Sequence, residues 1–369
     1  MRFRGIIGQP RATEALTRAL DAQRLTPSLI FHGPAGVGKL ATALTLCRNL
    51  LCSSADTVPC GSCSACRRID ERALRHPDVR VVFPEKLSEF QKGGTWREGS
   101  TGFDLQELQA EAMRNPVWAV LIDRIRQGRA FLQRRPSEGR RCILIIDQAH
   151  RMGPGAANAL LKTLEEPQDH AVLVLLTHSL HALLPTIRSR CQPLGFQLVA
   201  PADIARFLAT DETLPRAEIA LRASLAGGRI GAALDLDLDA LRARREALLS
   251  LLEALIDGGD SGMAVARAEE MSRKGDVLED DLRILMALLR DLMVLGAGGS
   301  SATGTVNADL TDRLQRLVPL AGERAPALVE QLDSTIAAIA RMGNRQLLLE
   351  NFLLDVVAPD EADAPTGPA

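Results

Sequence analysis

Aromatic residues are scarce in this 369-residue sequence, which has nine phenylalanines, two tryptophans and no tyrosine. Base stacking needs aromatic platforms, so this scarcity argues against a protein that binds single-stranded nucleic acid by stacking. An excess of either charge is also lacking, because 44 Lys and Arg nearly balance 46 Asp and Glu. The net charge of −2 excludes a strongly basic nucleic-acid coat and a disordered, highly charged chain.

Long apolar runs are missing as well, and no stretch approaches the roughly 18 residues that span a bilayer. The start of the sequence carries no apolar signal core, since Arg2 and Arg4 lead into polar Gln9. We therefore expect a cytoplasmic protein without a membrane partner. In that reducing compartment, seven cysteines favour metal binding over disulfides, because four of them crowd between 52 and 66.

Five short, mostly apolar segments predict β-strands, and helical patterns separate them. The segments are 28–31, 79–83, 142–146, 171–176 and 194–198. Strands of this kind, alternating with helices, predict an α/β fold with a buried parallel sheet and helices on both faces. At roughly 150 residues per domain, the length predicts two or three domains.

Strand patterns end near residue 200, and helical patterns follow. The predicted divisions are an α/β domain over 1–200, a small helical domain over 201–236, a larger helical domain over 237–358 and a tail over 359–369. The first domain contains a surface insertion at about 84–116 with one amphipathic segment, from Leu105 to Met113. We assign no chemistry to the insertion.

A glycine-rich loop lies between a predicted strand and a predicted helix, which is the context of a phosphate-binding loop. Its characteristic residues are Gly33, Gly36, Gly38 and Lys39. The glycines allow backbone N–H groups to surround phosphate oxygens, while the helix N-terminus and the lysine supply positive charge. The next position normally holds a hydroxyl that binds Mg²⁺, but here it is Leu40.

The second half of an ATPase site should follow a later strand and consist of two acids. Asp147 provides the first acid, but the second position is Gln148, whose amide is not a base. Two altered positions predict weak or absent ATP hydrolysis and disfavour a Mg²⁺ ion. Two alternatives remain for the loop: it binds ATP or ADP, or it is retained for the fold alone.

Four cysteines, Cys52, Cys60, Cys63 and Cys66, are spaced C-x7-C-x2-C-x2-C. Two overlapping C-x2-C steps can surround one ion, and the more distant thiolate completes a tetrahedral set with no open position. The pattern predicts a structural zinc site rather than a disulfide or a catalytic zinc.

Ser189, Arg190 and Cys191 lie just before the fifth predicted strand. A planar, permanently charged guanidinium suits the charge that develops in phosphoryl transfer. On chemistry alone, however, a surface cation is the simpler interpretation of Arg190.

These motifs together carry a family resemblance. In their order along the chain, the loop at 33–39, the four cysteines, the segment from Ala156 to Pro167 and the Ser-Arg-Cys triplet resemble the clamp-loader branch of the AAA+ ATPases. The resemblance covers residues 5–235 well and the C-terminal helices more loosely. It implies a RecA-like P-loop domain, a small helical lid and a C-terminal helical collar.

The resemblance also implies roles for single residues. Clamp loaders contain motor subunits, gamma and tau, and a further type whose own ATP site is degenerate, which Leu40 and Gln148 match. That type inserts the arginine of its Ser-Arg-Cys motif into the ATP site of a neighbour, so Arg190 would act as a finger in trans. Thr177 falls at the family's first sensor position, and Arg229 falls near the second.

The expected function is therefore a largely architectural subunit of the DNA polymerase III clamp loader. The resemblance implies gamma, tau and delta subunits as partners, and contact with primed DNA and the sliding clamp through the complex. One alternative is a motor of the gamma type that uses Lys39 and Asp147. A zinc-dependent DNA-binding module is a third, but the sequence lacks the basic footprint that it would need.

Overall fold

The computed structural model describes most of the chain. The described residues are 2–54, 58–70, 74–86, 104–115, 117–235, 238–273, 277–298, 305–340 and 343–357. Residues 87–103 of the predicted insertion and the predicted tail lie outside them. The chain divides into two compact units: unit 1 is Met1–Leu214 with Ala226–Leu234, and unit 2 is Pro215–Leu225 with Asp235–Ala369. The boundaries of three separate domains stay a prediction.

A five-stranded sheet forms the centre of unit 1. Its strands are β1 Ser28–His32, β2 Val79–Val82, β3 Cys142–Ile146, β4 Ala171–Thr177 and β5 Gln192–Gly195. Their order is β2-β3-β4-β1-β5, and every neighbouring pair is parallel. The predicted α/β fold with a parallel sheet is confirmed.

The two faces of the sheet pack into two separate hydrophobic cores. Every residue of β3 is buried, and its side chains alternate between the cores: Ile143 and Ile145 enter one, whereas Leu144 enters the other. β1 shows the same alternation, with Phe31 and Ile30 in different cores. Burial on both faces explains why these strands are continuous apolar runs in the sequence.

The fifth strand lies closer to the N-terminus than predicted. It spans Gln192–Gly195 rather than 194–198, and it pairs with β1 from Leu29↔Gln192 to His32↔Gly195. β5 is an edge strand in which only Leu194 is buried, so apolarity does not mark its limits. Its Pro193 is compatible with an edge, where a missing N–H does not interrupt the sheet.

Helices cover both faces of this sheet. Those of unit 1 are α1 Pro10–Asp21, α2 Lys39–Leu51, α3 Ser64–Arg68, α4 Leu105–Arg114, α5 Ile122–Gln133, α6 Pro154–Glu165, α7 Pro185–Arg188, α8 Pro201–Leu208 and α10 Ile230–Asp235, with a 3₁₀ turn at Ala149–Arg151. Four of them, α1, α6, α7 and α8, begin with proline, which fits the first helical turn because no hydrogen bond needs its missing N–H.

Helices and the turns and loops between them make up the described residues of unit 2. Its helices are α9 Arg216–Leu225, α11 Leu238–Ile256, α12 Ser261–Ser272, α13 Val277–Gly296, α14 Thr311–Ala321, α15 Ala325–Ala340 and α16 Arg345–Val356. An apolar stripe on α13, including Leu282, Leu285 and Leu289, is buried in the core of the unit. No helix in the described parts of either unit is both long enough and apolar enough to cross a bilayer.

Candidate functional site

The glycine-rich loop connects β1 to α2 at the carboxyl edge of the sheet. Gly33, Gly36 and Gly38 have φ angles of 143°, 72° and 93°, a region that other residues rarely adopt. A Cβ atom on Gly33 would lie 2.2 Å from the carbonyl oxygen of Phe196. The loop therefore requires glycine for its backbone conformation and for this close approach.

Lys39 folds back over the loop. Its Nζ donates hydrogen bonds to the carbonyl oxygens of Gly33 at 2.7 Å and Pro34 at 2.5 Å, and the residue is only 9% exposed. Burial lowers the pKa of Lys39 to about 8, against the opposing attraction of Asp147, and repulsion from Arg229 adds to the decrease. The ammonium group thus lies in a dry environment where an incoming anion would be strongly attracted.

Leu40 has become part of the hydrophobic core. It is 7% exposed and packs in the same apolar cluster as Ala43 and Leu44 of α2. Its side chain has no oxygen to offer to a metal ion. The position that normally supplies the Mg²⁺ hydroxyl therefore contributes to packing.

Asp147 lies at the end of β3, 4% exposed, and both of its carboxylate oxygens accept hydrogen bonds. The backbone N–H of Gln148 donates to Oδ1 at 2.9 Å, and the side-chain amide of Gln109 donates to Oδ2 at 2.7 Å. Burial raises the pKa of Asp147, although both hydrogen bonds and the charge of Lys39 oppose this effect.

Gln109 belongs to α4, in the insertion to which the sequence analysis assigned no chemistry. The amphipathic helix itself was predicted, but its contact with Asp147 was not. A glutamine on a solvated helix has no distinguishing pattern, so no signal in the sequence could have identified this contact.

Thr177 contacts both the loop and a pair of histidines. The carbonyl oxygen of Thr177 accepts a hydrogen bond from the N–H of Gly33 at 3.2 Å, and its Oγ1 lies 3.3 Å from Nδ1 of His150. The rings of His150 and His178 meet edge to face with centroids 3.7 Å apart. Burial lowers the pKa of His150 to about 3, so this ring is neutral near pH 7.

Arg229 lies beside the loop, just before α10. A Cβ atom on Gly36 would be 3.2 Å from the Cβ of Arg229, and the N–H of Gly231 donates to the carbonyl oxygen of Gly36 at 2.9 Å. The structure thus brings together the loop, Lys39, Asp147, Thr177 and Arg229. Their assignment as nucleotide ligands stays a prediction.

Arg190 follows α7, and its described contacts are not with the glycine-rich loop. Its Nη2 lies 2.9 Å from a carboxylate oxygen of Glu165, and its Nη1 donates to the carbonyl oxygen of Thr186 at 3.0 Å. The side chain is 36% exposed, so it is accessible from outside unit 1.

The four predicted metal ligands converge. The sulfur atoms of Cys52, Cys60, Cys63 and Cys66 all lie within 4.8 Å of one another, and none of the four forms a disulfide. Backbone N–H groups of Cys60, Cys63 and Cys66 each donate to a sulfur atom of this set, at 3.3–3.4 Å. Such bonds stabilise thiolates, and four sulfur donors fit a tetrahedral zinc ion with no position left for water.

A buried carboxylate at the opposite, amino edge of the sheet was also missed by the sequence analysis. Asp78, 0% exposed, precedes β2 and accepts hydrogen bonds from the backbone N–H groups of Ser137, Glu138 and Gly139 at 2.6–2.9 Å. Burial alone would raise the pKa of Asp78, but the three donors lower it below its usual value. An ion pair between Arg68 of α3 and Glu138 connects this turn to the cysteine cluster.

Comparison with known proteins identifies the family. The sequence model described as DNA polymerase III, delta subunit, matches residues 8–200, more than half of the 369-residue chain. The chain belongs to this family. Membership in the DNA polymerase III delta subunit family confirms the resemblance that the loop, the cysteines and the Ser-Arg-Cys triplet carried.

Two curated relatives illustrate the similarity. The DNA polymerase III subunit delta' of Bacillus subtilis is 33% identical over 207 residues, which are 56% of this chain and 53% of that protein. The DNA polymerase III subunit gamma/tau of Mycobacterium tuberculosis is 32% identical over 208 residues, which are 56% of this chain and 30% of that protein. The matched region is thus about half of the first relative's length and less than a third of the second's.

A solved structure from Thermotoga maritima, a DNA polymerase III gamma subunit-related protein, is similar at 21% identity. The match covers 94% of this chain and 98% of that chain, with a TM-score of 0.38.

Proposed function

We propose that this chain is a delta'-type subunit of the DNA polymerase III clamp loader, which helps to load the sliding clamp on primed DNA. In this role it assembles with gamma or tau motor subunits and with the delta subunit. It hydrolyses little ATP itself and donates Arg190 to the ATP site of a neighbouring motor subunit.

The observation that carries this proposal is the contrast between an incomplete site and an accessible guanidinium. Leu40 is buried in the core, and Gln148 stands where the catalytic acid is expected. Leucine offers no oxygen to a metal ion, and the amide of glutamine is not a base that could take a proton from an attacking water. Arg190, by contrast, lies at the exposed end of α7, and its described contacts are with Glu165, Thr186 and the hydroxyl of Ser189.

The chemistry of an arginine finger explains why Arg190 would matter in a complex. Phosphoryl transfer spreads negative charge over the oxygens of the transferred group, and a guanidinium neutralises that charge at two points at once. In the isolated chain, Glu165 pairs with Arg190 at 2.9 Å. We expect this exposed ion pair to exchange readily for a phosphate, because such pairs contribute little stability in water.

The cysteine cluster has a structural role in the same proposal. Cys52, Cys60, Cys63 and Cys66 would hold one zinc ion and so fix the segment after α2. A closed set of four thiolates leaves no site for a substrate, so the zinc would support folding rather than catalysis.

The decisive experiment is reconstitution with the motor subunits, delta, the sliding clamp and primed DNA. Because an arginine finger contributes about 10³ to 10⁵ in rate, we expect Arg190→Ala to assemble normally and to lose most of the clamp-stimulated ATPase activity at the neighbouring site. Arg190→Lys should restore little, since an ammonium cannot form the two-point contact. The exposed cation Arg206, 79% accessible on α8, provides a matched control as Arg206→Ala.

Wild-type ATPase activity in the Arg190→Ala complex would contradict the finger assignment. Rapid ATP turnover by the isolated chain, abolished by Lys39→Ala, would favour a gamma-type motor instead. Both measurements use the full chain, and size-exclusion chromatography of each complex verifies assembly.

A further inference from the structure

The positions that bind a magnesium ion in a P-loop ATPase do not suit one in this chain. A P-loop ATPase binds Mg²⁺ through a hydroxyl after the loop lysine and through an acid on a neighbouring strand, because Mg²⁺ requires oxygen ligands in octahedral geometry. In this chain the hydroxyl is replaced by Leu40, which is 7% exposed in the core. Asp147 is the acid that remains.

The oxygens of Asp147 are already occupied by hydrogen-bond donors. The amide of Gln109 lies 2.7 Å from Oδ2, and the backbone N–H of Gln148 lies 2.9 Å from Oδ1. The hydrogens of both donors carry partial positive charge and point at the carboxylate, in the space that a cation would need. A metal ion at Oδ2 would have to share this oxygen with the Gln109 amide, whose positively polarised hydrogens repel a cation.

The helix that carries Gln109 is firmly held in this position. Leu105 and Ala112 of α4 are buried, with exposures of 2% and 0%. At its C-terminal end, Arg151 donates to the carbonyl oxygen of Ala112 at 2.7 Å and also bonds to the carbonyl oxygen of Asn115. A cation at a helix C-terminus stabilises the helix dipole, so these contacts fix α4 independently of any ligand.

The same Arg151 connects α4 to the end of β3. Its Nη1 donates to Oε1 of Gln148 at 2.7 Å, next to Asp147. Gln109, Arg151 and Gln148 thus form a continuous hydrogen-bonded set over the carboxylate. Each of these groups is a donor or an amide, and none is an additional acid for a metal.

We propose that the Gln109 amide takes the place of a metal ion at Asp147, and that the site binds a nucleoside di- or triphosphate without magnesium. The phosphate charge would be balanced by Lys39 and by Arg229, whose Cβ lies close to Gly36 of the loop. The inference rests on the proposed function, a delta'-type clamp-loader subunit, and deepens it by adding that the loop of this chain binds a nucleotide. It assigns α4 a task, namely to occupy the side of Asp147 where a metal ion would bind.

The test measures binding of ADP and ATP to the isolated full-length chain, in Mg²⁺ and in EDTA. For the wild type, we expect the two dissociation constants to agree within about twofold for each nucleotide. In Gln109→Ala, a free Oδ2 can hold the ion through water, so Mg²⁺ should tighten ATP binding by about fivefold. Gln106→Ala, on the exposed face of the same helix, is the matched control and should behave as the wild type.

A wild-type chain that binds ATP about tenfold more tightly in Mg²⁺ than in EDTA would overturn the proposal. Absence of nucleotide binding in both buffers would overturn the assigned ligand, while the Arg190 experiment in the reconstituted complex would be unaffected.

A second measurement tests the contact itself. Urea unfolding of Gln109→Ala, Asp147→Ala and the double variant forms a thermodynamic cycle. Each variant changes the equilibrium constant for unfolding by a certain factor. We expect the factor of the double variant to differ about fivefold from the product of the two single factors, because both changes remove the same bond. Independent, multiplicative effects would show that Gln109 does not act on Asp147.

Discussion

Two buried carboxylates lie at opposite edges of the sheet in unit 1, and they differ in their hydrogen-bond donors and in the direction of their pKa shift. At the amino edge, Asp78 accepts three backbone N–H groups and its pKa is lowered, despite burial. At the carboxyl edge, Asp147 has one backbone donor and one side-chain amide, and its pKa is raised by burial. At Asp78 the three backbone donors outweigh the effect of burial on the pKa, whereas at Asp147 the two donors and the nearby cations do not.

The same contrast applies to the ligand sets at these two edges. The cysteine cluster, which Arg68 and Glu138 connect to the Asp78 turn, retains all four sulfur atoms. The nucleotide edge retains Lys39 and Asp147 but has a leucine and a glutamine at two other positions. In the proposed function, the amino edge contributes stability, and the carboxyl edge binds a nucleotide without hydrolysing it.

Cys63→Ser should have the largest effect, and it tests whether the four cysteines bind a zinc ion. We expect purified wild-type protein to contain about one zinc ion per chain, and the variant to lose it and melt ~10 °C lower, because metal binding contributes to folding. Metal analysis and thermal unfolding provide the measurement. Arg67→Ala, an exposed neighbour that leaves the thiolates intact, is the control. If metal-free wild-type protein were as stable as metal-loaded protein, the cysteine cluster would not stabilise the amino edge, and the contrast between the edges would be lost.

Asp78→Ala should have the next largest effect. The variant removes three hydrogen bonds to a charged, buried carboxylate, which we expect to cost about 3 kcal/mol in the free energy of unfolding, measured with urea at pH 7. Because the folded pKa is lowered, this stabilisation is complete above the unfolded pKa near 4 and disappears as the pH falls through the lower folded value.

The difference between wild type and Asp78→Ala should therefore shrink in acid. Asp169→Ala, an exposed aspartate on the same unit, should change stability by less than about 0.5 kcal/mol at any pH. A pH-independent loss in Asp78→Ala would mean that shape, not charge, is what the turn requires.

Asp147→Asn should have the smallest effect and the opposite dependence on pH. Since the folded pKa is raised, ionisation of Asp147 costs stability above its unfolded pKa, and asparagine avoids this cost. We expect the variant to equal or exceed the wild type at pH 7, by less than about 1 kcal/mol, and the two to converge below pH 4. Urea unfolding at both pH values is the measurement. A large loss of stability at pH 7 would mean that ionised Asp147 stabilises the fold, as Asp78 does.

Local patterns were sufficient to predict much of unit 1. The glycine loop, Asp147 at a strand end and the four cysteines depend on short spacings, and the structure places them as those spacings require. The predicted position of β5 differed from the observed one because an edge strand with one buried residue lacks an apolar signature.

The contacts that escaped prediction are long-range. Gln109 is 38 positions from Asp147, and Asp78 is 59 to 61 positions from the N–H groups that it accepts. Such pairs depend on how a helix docks and how a turn closes, and neither event leaves a periodic trace in the sequence. The polar residues involved also resemble ordinary surface residues when read alone.

The burial of Leu40 makes the loss of the metal hydroxyl difficult to reverse. Its side chain fills space among the aliphatic residues of α2 and the sheet, so a threonine there would leave a void and place a hydroxyl among apolar neighbours, at a cost of about 2 kcal/mol. A return to a working motor would need compensating changes in the packing beneath the loop as well as a new acid at 148. Packing around Leu40 in the core of unit 1 would therefore disfavour reversion of the proposed non-motor subunit to an ATPase.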